Sequence, residues 1–209
     1  MPTTPVHTQS FIRSARRAQI VAAAIDVISE VGYPQASIRK IADRVGIAMS
    51  AVLYHFGTKD KLVEAIIEHM YRTMLESVAP ALAGQHTAST KLDAYIRSSI
   101  DYFATHRVAL KALASLGTTY IPADGRRFEE LGLDADLAGQ LAALDPTDIL
   151  DTGRRDGEFS DFPVASTAIA LRGAVTGVVE PILHEPHFDA SRYAEDLIDV
   201  FGRIIGRAR

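Results

Sequence analysis

The chain reads as all-α, with a three-helix head near the N-terminus and a larger helical body behind it. Three observations predict this. Apolar residues recur at helical spacing in segment after segment, and no stretch alternates as a half-buried strand would. Glycine and proline fall between the periodic segments, where helices stop and restart. Between Ala36 and Leu62 two short helices and a tight turn are packed into fewer than thirty residues, a spacing that belongs to the helix-turn-helix.

Taken in order, residues 1–10 are rich in Thr and Pro and lack periodicity, so a disordered tail is expected there. A first helix is expected from about Ser14 to Val31, with Ile20, Ala24, Val27, Ile28 and Val31 as its apolar stripe. Arg13, Arg16 and Arg17 stand at its start, where positive charge opposes the helix dipole, and a phosphate is one partner that would favour them. Gly32-Tyr33-Pro34 ends it. Ser37 is a good N-cap for a second helix, on which Ile38, Ile41, Ala42 and Val45 share one face while Arg39, Lys40, Asp43 and Arg44 take the other. Gly46 suits the left-handed stop. A third helix spans about Met49 to His55, with Val52 and Phe56 turned inward and Met49, Ser50 and Tyr54 outward.

A fourth helix is expected from Lys59 to about Ala79, ended by Pro80. After a loop at 83–90 come segments from Lys91 to Thr105, Val108 to Leu116 and Leu133 to Leu144. Asp145-Pro146-Thr147-Asp148 is a restart signal, with a cap, Pro at the first helical position and an acid in the first turn. Two long segments close the chain. One runs from Phe162 or Pro163 to about Leu183, with Ala165, Ile169, Gly173 and Gly177 at i+4 spacing. The other starts at the cap Asp189 and runs to about Gly206, with Tyr193, Leu197, Val200, Phe201 and Ile204 on one face. The small stripe on the first lets another helix approach closely.

Charge is distributed unevenly. Residues 1–60 carry seven basic side chains (Arg13, Arg16, Arg17, Arg39, Lys40, Arg44, Lys59) against four acids (Asp26, Glu30, Asp43, Asp60), a net +3. The remaining 15 basic and 22 acidic residues leave −7, so the chain totals −4. A basic head on an acidic body directs the head toward a polyanion.

The residues that carry a family resemblance are now in place: Glu30-Val31-Gly32-Tyr33, Ser37-Ile38-Arg39-Lys40-Ile41-Ala42, Val45-Gly46-Ile47, Leu53-Tyr54-His55-Phe56 and Thr58-Lys59-Asp60-Lys61-Leu62. In this order and spacing, from about Arg13 to Ile67, the chain resembles the DNA-binding head of the TetR-type (tetracycline-repressor-like) transcriptional regulators. It departs at three places: Leu53 stands where many members have Tyr, Ala48 where Ser or Thr is common, and Met49 where a polar residue is common. The resemblance implies a DNA-binding head at 11–58 and an effector-binding and dimerisation body at 59–209. It implies that the third helix lies in the major groove. Candidate DNA contacts are Ser37, Arg39, Lys40, Met49, Ser50, Ala51, Tyr54, His55 and Lys59, with Ala51 placed to meet a thymine methyl and His55 and Lys59 at positions like the family's phosphate contacts.

In the body the resemblance implies a pocket for a small-molecule effector. Tyr95, Phe103, His106, Leu113, Leu116, Tyr120, Arg172 and Thr176 are its candidate lining, being polar or aromatic residues on otherwise apolar helices or apolar residues beside them. Arg172 lies in an apolar stretch and calls for a carboxylate partner or an anionic ligand. The last two helices are expected to pair with those of a second copy. The expected partners are thus double-stranded DNA, a second chain and an effector. The expected function is ligand-responsive regulation, as a repressor on a palindromic operator from which a small molecule releases it; the alternative is a helical binding protein for an apolar metabolite with a vestigial head.

Other classes find little support. There is no Cys, hence no disulfide and no thiolate metal site. No Gly-rich phosphate loop, nucleophile elbow or zinc spacing occurs, so no enzyme, metal or cofactor is expected. His184-Glu185-Pro186-His187 superficially suggests a metal pair, but the intervening Pro breaks the helical spacing. No run of about 18 apolar residues is evident, so no membrane span is expected. With no secretory signal in the first residues, a cytoplasmic protein is the simplest reading.

Overall fold

A computed structural model describes residues 6–122 and 124–206. Helix dominates, and there is no strand among the described residues. The helices are α1 (Val6–Val31), α2 (Ile38–Val45), α3 (Met49–Phe56), α4 (Lys59–Ala83), α5 (Ala88–Thr105), α6 (Arg107–Thr119), α7 (Ala135–Ala142), α8 (Pro146–Arg155), α9 (Val164–Gly177), α10 (Val179–His184) and α11 (Ala190–Ile204). They divide into two compact units. One comprises Met1–Met70 and Lys111–Leu133, the other Tyr71–Leu110 and Asp134–Arg209.

In the first unit the stripe expected on α1 is buried at Ile20, Ala24, Val27 and Ile28, as are Ile41 and Ala42 of α2 and Val52 and Phe56 of α3. Leu62, Val63, Ile66 and Ile67 of α4 are buried in the same unit. The Ser37 hydroxyl caps α2 by accepting from the Lys40 N–H at 3.2 Å. Gly46 stops α2 at φ 75°, ψ 36°, donating back to the Ala42 and Asp43 carbonyls, the left-handed ending that an L side chain resists. Arg44 on the outer face forms a bidentate pair with Glu30, at 3.0 and 2.5 Å, which ties α2 to the end of α1.

The second segment of this unit, residues 111–133, is held to the first by several contacts. The Tyr33 N–H donates to Ser115 Oγ at 2.9 Å, and the Tyr33 and Tyr120 rings meet edge to face at 5.3 Å. Burial, with the carboxylate of Asp60 nearby, pushes the Tyr120 hydroxyl up to about 12. Arg126 joins Asp124 at 2.7 Å and Glu64 of α4 at 2.5 Å. Gly132 adopts φ +67° with its α-carbon against the α4 backbone.

The second unit is built on α5, whose Leu92, Tyr95, Ile96, Ile100, Tyr102 and Phe103 are buried. Around them lie Ile149 and Leu150 of α8, Ala168, Leu171 and Val175 of α9, and Ala194, Ile198 and Phe201 of α11. Polar clamps fix the helices at their edges. Arg97 grips Glu195 with two bonds at 2.7 and 2.8 Å, Tyr193 Oη donates to the Ala174 carbonyl at 2.8 Å, and the Glu158 carboxylate accepts the N–H groups of Ala88 and Ser89 at the start of α5.

Several expectations need correction. α1 begins at Val6, well before Ser14; residues 6–10 are therefore helical backbone, and the rest of the expected tail lies outside the described residues. Arg13, Arg16 and Arg17 consequently stand two turns or more inside the helix, where the dipole no longer opposes them, since its effect fades beyond the first turn. α4 runs through Pro80 to Ala83. So near the C-terminal end a proline removes a single intrahelical N–H, and the helix closes one further turn. The long segment after Phe162 is two helices, divided at Val178.

The segment Val164–His184 is, by length and composition, long and apolar enough to cross a membrane, with a mean hydropathy of 1.2. It is not an unbroken apolar run, for Arg172 and Glu180 lie within it and the helix divides at Val178. Its Ala, Gly, Ser and Thr are interspersed, so no long block of large apolar residues catches the eye. Leu171, Val175, Val178 and Ile182 face the core, while Ala165, Ile169, Gly173 and Gly177 face outward. A Cβ added at Gly173 or Gly177 meets nothing within 4 Å. Val200 and Ile204 of α11 are also about half exposed.

Candidate nucleic-acid interface

The outward face of α3 follows from its inward one. With Val52 and Phe56 buried, the 3.6-residue period turns Ala48, Met49, Ser50, Leu53 and Tyr54 to the surface, Tyr54 most fully at 73%. Ala51 and His55 are half-buried at the margin. Ala48 provides no capping side chain, so the first N–H groups of α3 are left without a side-chain acceptor. On α2, Ser37, Arg39 and Lys40 are all exposed at the start of the helix. The geometry is that of a helix-turn-helix with its second helix presented outward.

Not every predicted residue is presented in the same way. Lys59 is half-buried: its Nζ lies 3.9 Å from the centre of the Tyr33 ring and donates to the Tyr33 carbonyl at 3.3 Å. Burial lowers its pKa from the usual lysine value, and its charge is engaged within the head. His55 Nδ1 is buried without a hydrogen-bond partner.

Two arginines, for which a phosphate was one expected partner, join the face, together with a leucine that had not been singled out for it. Arg13 lies 5.7 Å from the Tyr54 ring centre, and Arg17 lies 4.3 Å from that of Phe56 and donates to the His55 carbonyl. The i, i+3, i+4 spacing of Arg13, Arg16 and Arg17 puts them on one side of α1. Leu53 follows Met49 at i+4 and is 37% exposed.

Burial, and then the charges of Arg13, Arg17 and Arg16, hold the His55 imidazole below its ordinary value of 6.5. A depressed histidine pKa means that the unfolded chain takes up the proton more readily. Its contribution to stability is complete above the ordinary value and is lost as pH falls below it. Urea unfolding between pH 7 and pH 5 is expected to show a shallower acid decline for His55→Gln than for the parent chain.

The eight candidate effector residues are divided between the two units. Leu116 and Tyr120 are buried and Leu113 half-buried in the first. In the second, Tyr95 and Phe103 are core residues, and His106 stacks on Tyr102 with ring centres 4.3 Å apart. Arg172 has the carboxylate partner it called for, with Nη1 2.9 and 2.7 Å from the two Asp145 oxygens. Thr176 is exposed and donates to the Arg172 carbonyl. The second unit has two open grooves of about 360 Å³ each, one between α5 and α11 that includes Arg97 and Glu195, the other including His86, Lys91 and Glu158. None of the eight lines either groove. His184, Glu185 and His187 are exposed in and after the last turn of α10.

Comparison with known proteins agrees with the head. Residues 20–66 match the family model described as bacterial regulatory proteins, tetR family. The HTH-type transcriptional regulator BetI of Paraburkholderia phytofirmans is 29% identical over 197 residues, covering 90% of this chain and 94% of that protein. BetI of Cronobacter sakazakii is 32% identical over 99 residues, which is 46% of this chain; the chain spans only about half (49%) of that relative's length. Among solved structures, a tetR-family regulatory protein from Rhodococcus RHA1 superposes with a TM-score of 0.75 at 23% identity, covering 92% of this chain and 98% of its own. FadR of Bacillus subtilis, solved in complex with stearoyl-CoA, gives 0.70 at 19% identity, with 88% and 96% covered. With its helix-turn-helix, its all-helical fold and these relatives, the chain is similar to the TetR-type transcriptional regulators, whose family model its head matches over residues 20–66.

Proposed function

We propose that this chain is a dimeric, ligand-responsive repressor that binds a palindromic operator. The carrying observation is the exposed face of α3 on a head of net positive charge, with Arg39 and Lys40 at the start of α2 and Arg13 beside Tyr54. A second helix presented in this way fits the major groove. Two heads filling successive major grooves must stand about 34–36 Å apart, which calls for two chains. The outward small-residue face of α9, with Gly173 and Gly177 open to a close helix approach, supports the second chain's place. A small molecule that favours another head spacing would weaken DNA binding reciprocally, by about 1–3 kcal/mol in typical cases. Blocking of a polymerase by occupancy makes repression the simpler direction. An intracellular, cytoplasmic setting follows from the same reading.

Fluorescence anisotropy on a palindrome from the chain's own promoter tests this. A salt-dependent specific complex is expected, weakened about tenfold by Arg39→Ala or Tyr54→Ala if either side chain reads a base edge. Lys40→Ala is expected to weaken all sequences alike and to reduce the salt slope by about 1, as a lost phosphate contact does. Absence of any specific complex at low salt rejects the reading.

A further inference from the structure

The recognition face has an unusual chemistry. α3 reads Met-Ser-Ala-Val-Leu-Tyr-His-Phe, with no Arg, Lys, Asn, Gln, Asp or Glu. Those are the side chains that pair with base edges in the major groove: Arg or Lys with guanine, Asn or Gln with adenine, Asp or Glu with cytosine. What α3 presents is the Met49 side chain at 50% exposure, Leu53 at 37%, Tyr54 at 73% and the short hydroxyl of Ser50. His55, the remaining polar residue, is half-buried. The one base-edge feature that an apolar surface distinguishes is the 5-methyl group of thymine.

Resting on the DNA-binding reading above, we propose that this head selects its half-site chiefly through thymine methyl groups packed against Met49, Leu53 and the methyl of Ala51, so that the base pairs facing α3 are rich in thymine and free of obligatory guanines. Apolar faces are also docking sites for proteins, but here exposed cations border the face. Arg13 lies against Tyr54, Arg16 is exposed one turn along α1, and the head is net positive. That setting fits the phosphates that flank a groove. Cations would then fix position, and methyl packing would fix sequence.

The test uses the full chain. Duplexes are first selected from a randomised pool. Each thymine of the enriched half-site is then replaced by deoxyuridine, which removes only the 5-methyl group, and affinity is measured by anisotropy. The expected result is a half-site with at least two positions at which the replacement weakens binding by about fourfold, the worth of one buried methyl-sized group. Met49→Ala and Leu53→Ala are expected to bind thymine and deoxyuridine duplexes with more nearly equal affinity. Both side chains are on the surface, so an unchanged melting temperature is expected; if either variant fails to fold, the comparison with the parent chain still decides. Enriched half-sites with a fixed guanine at the contacted positions, or equal affinity for both duplexes, overturn the methyl readout while leaving DNA binding standing. Failure to enrich any duplex overturns the DNA-binding reading and this inference with it, and leaves the face to a protein partner.

Discussion

Gly132→Ala is expected to be the most damaging small substitution in the first unit. A Cβ there would lie 2.6 Å from both the Glu64 carbonyl oxygen and the Glu68 amide nitrogen of α4, and 3.2 Å from the Glu68 α-carbon. The obstacle is helix backbone, which does not rotate aside as a side-chain tip does. Overpacking of this kind costs about 1–3 kcal/mol, and the left-handed backbone at φ +67° adds roughly 1–2 kcal/mol for an L side chain. Together these are a large fraction of an ordinary domain's stability of about 5–15 kcal/mol. Gly125→Ala is the matched control. Its φ is +75° but nothing lies within 4 Å of its Cβ position, so only the backbone contribution of roughly 1–2 kcal/mol is expected. Urea unfolding of the two variants beside the parent separates the contributions; equal midpoints would show that residues 131–133 do not rest against α4 in solution.

Gly173→Arg should raise the stability of the single chain while abolishing the proposed dimer. Glycine inside a helix is less favourable than an ordinary helix former by about 0.5–1 kcal/mol, and the outward Cβ meets nothing. The folded subunit therefore has no steric reason to resist the change. A second helix approaching closely at Gly173 and Gly177 does, because a long cation would then occupy the contact. Sedimentation velocity is expected to show a monomer. DNA affinity should fall by roughly 10²-fold or more, because a second tethered head typically contributes that much avidity. Ile169→Glu, at a side chain 65% exposed, is expected to act in the same direction without the larger gain that comes from replacing a helical glycine. A dimer that persists in both variants, with DNA affinity unchanged, would place the subunit contact elsewhere.

The parts of the molecule legible in the sequence are those set by neighbours along the chain. Ser37 and Gly46 bound α2 because capping and the left-handed stop are local events. For the same reason Asp145, whose carboxylate accepts from the Thr147 N–H at 2.9 Å, and Asp189, which accepts from Arg192, start α8 and α11. The Thr87 cap of α5 was missed because its reciprocal partner is Thr90, not the usual Glu or Gln of a capping box. Distant pairings were less accessible. A lone arginine in an apolar stretch announces that a partner is needed, but nothing local says that Asp145 supplies it. Lys59 resembles a phosphate contact by position, and its engagement with Tyr33 depends on how the chain folds back between them. The α3 face was read nearly whole, since burial of Val52 and Phe56 fixes the rest. Leu53 was lost there because an apolar residue in a helix is by habit assigned to a core.

The first unit is assembled from two stretches of chain, with residues 71–110 belonging to the other unit. A fragment cut after Met70 would leave the Tyr33 amide without Ser115, Glu64 without Arg126, and the surfaces around Leu116 and Leu131 open to water. The head is thus a poor cassette. Chimeras that graft it onto a foreign sensor should transplant residues 111–133 along with it, and a head excised alone is expected to be a sticky, incomplete fragment.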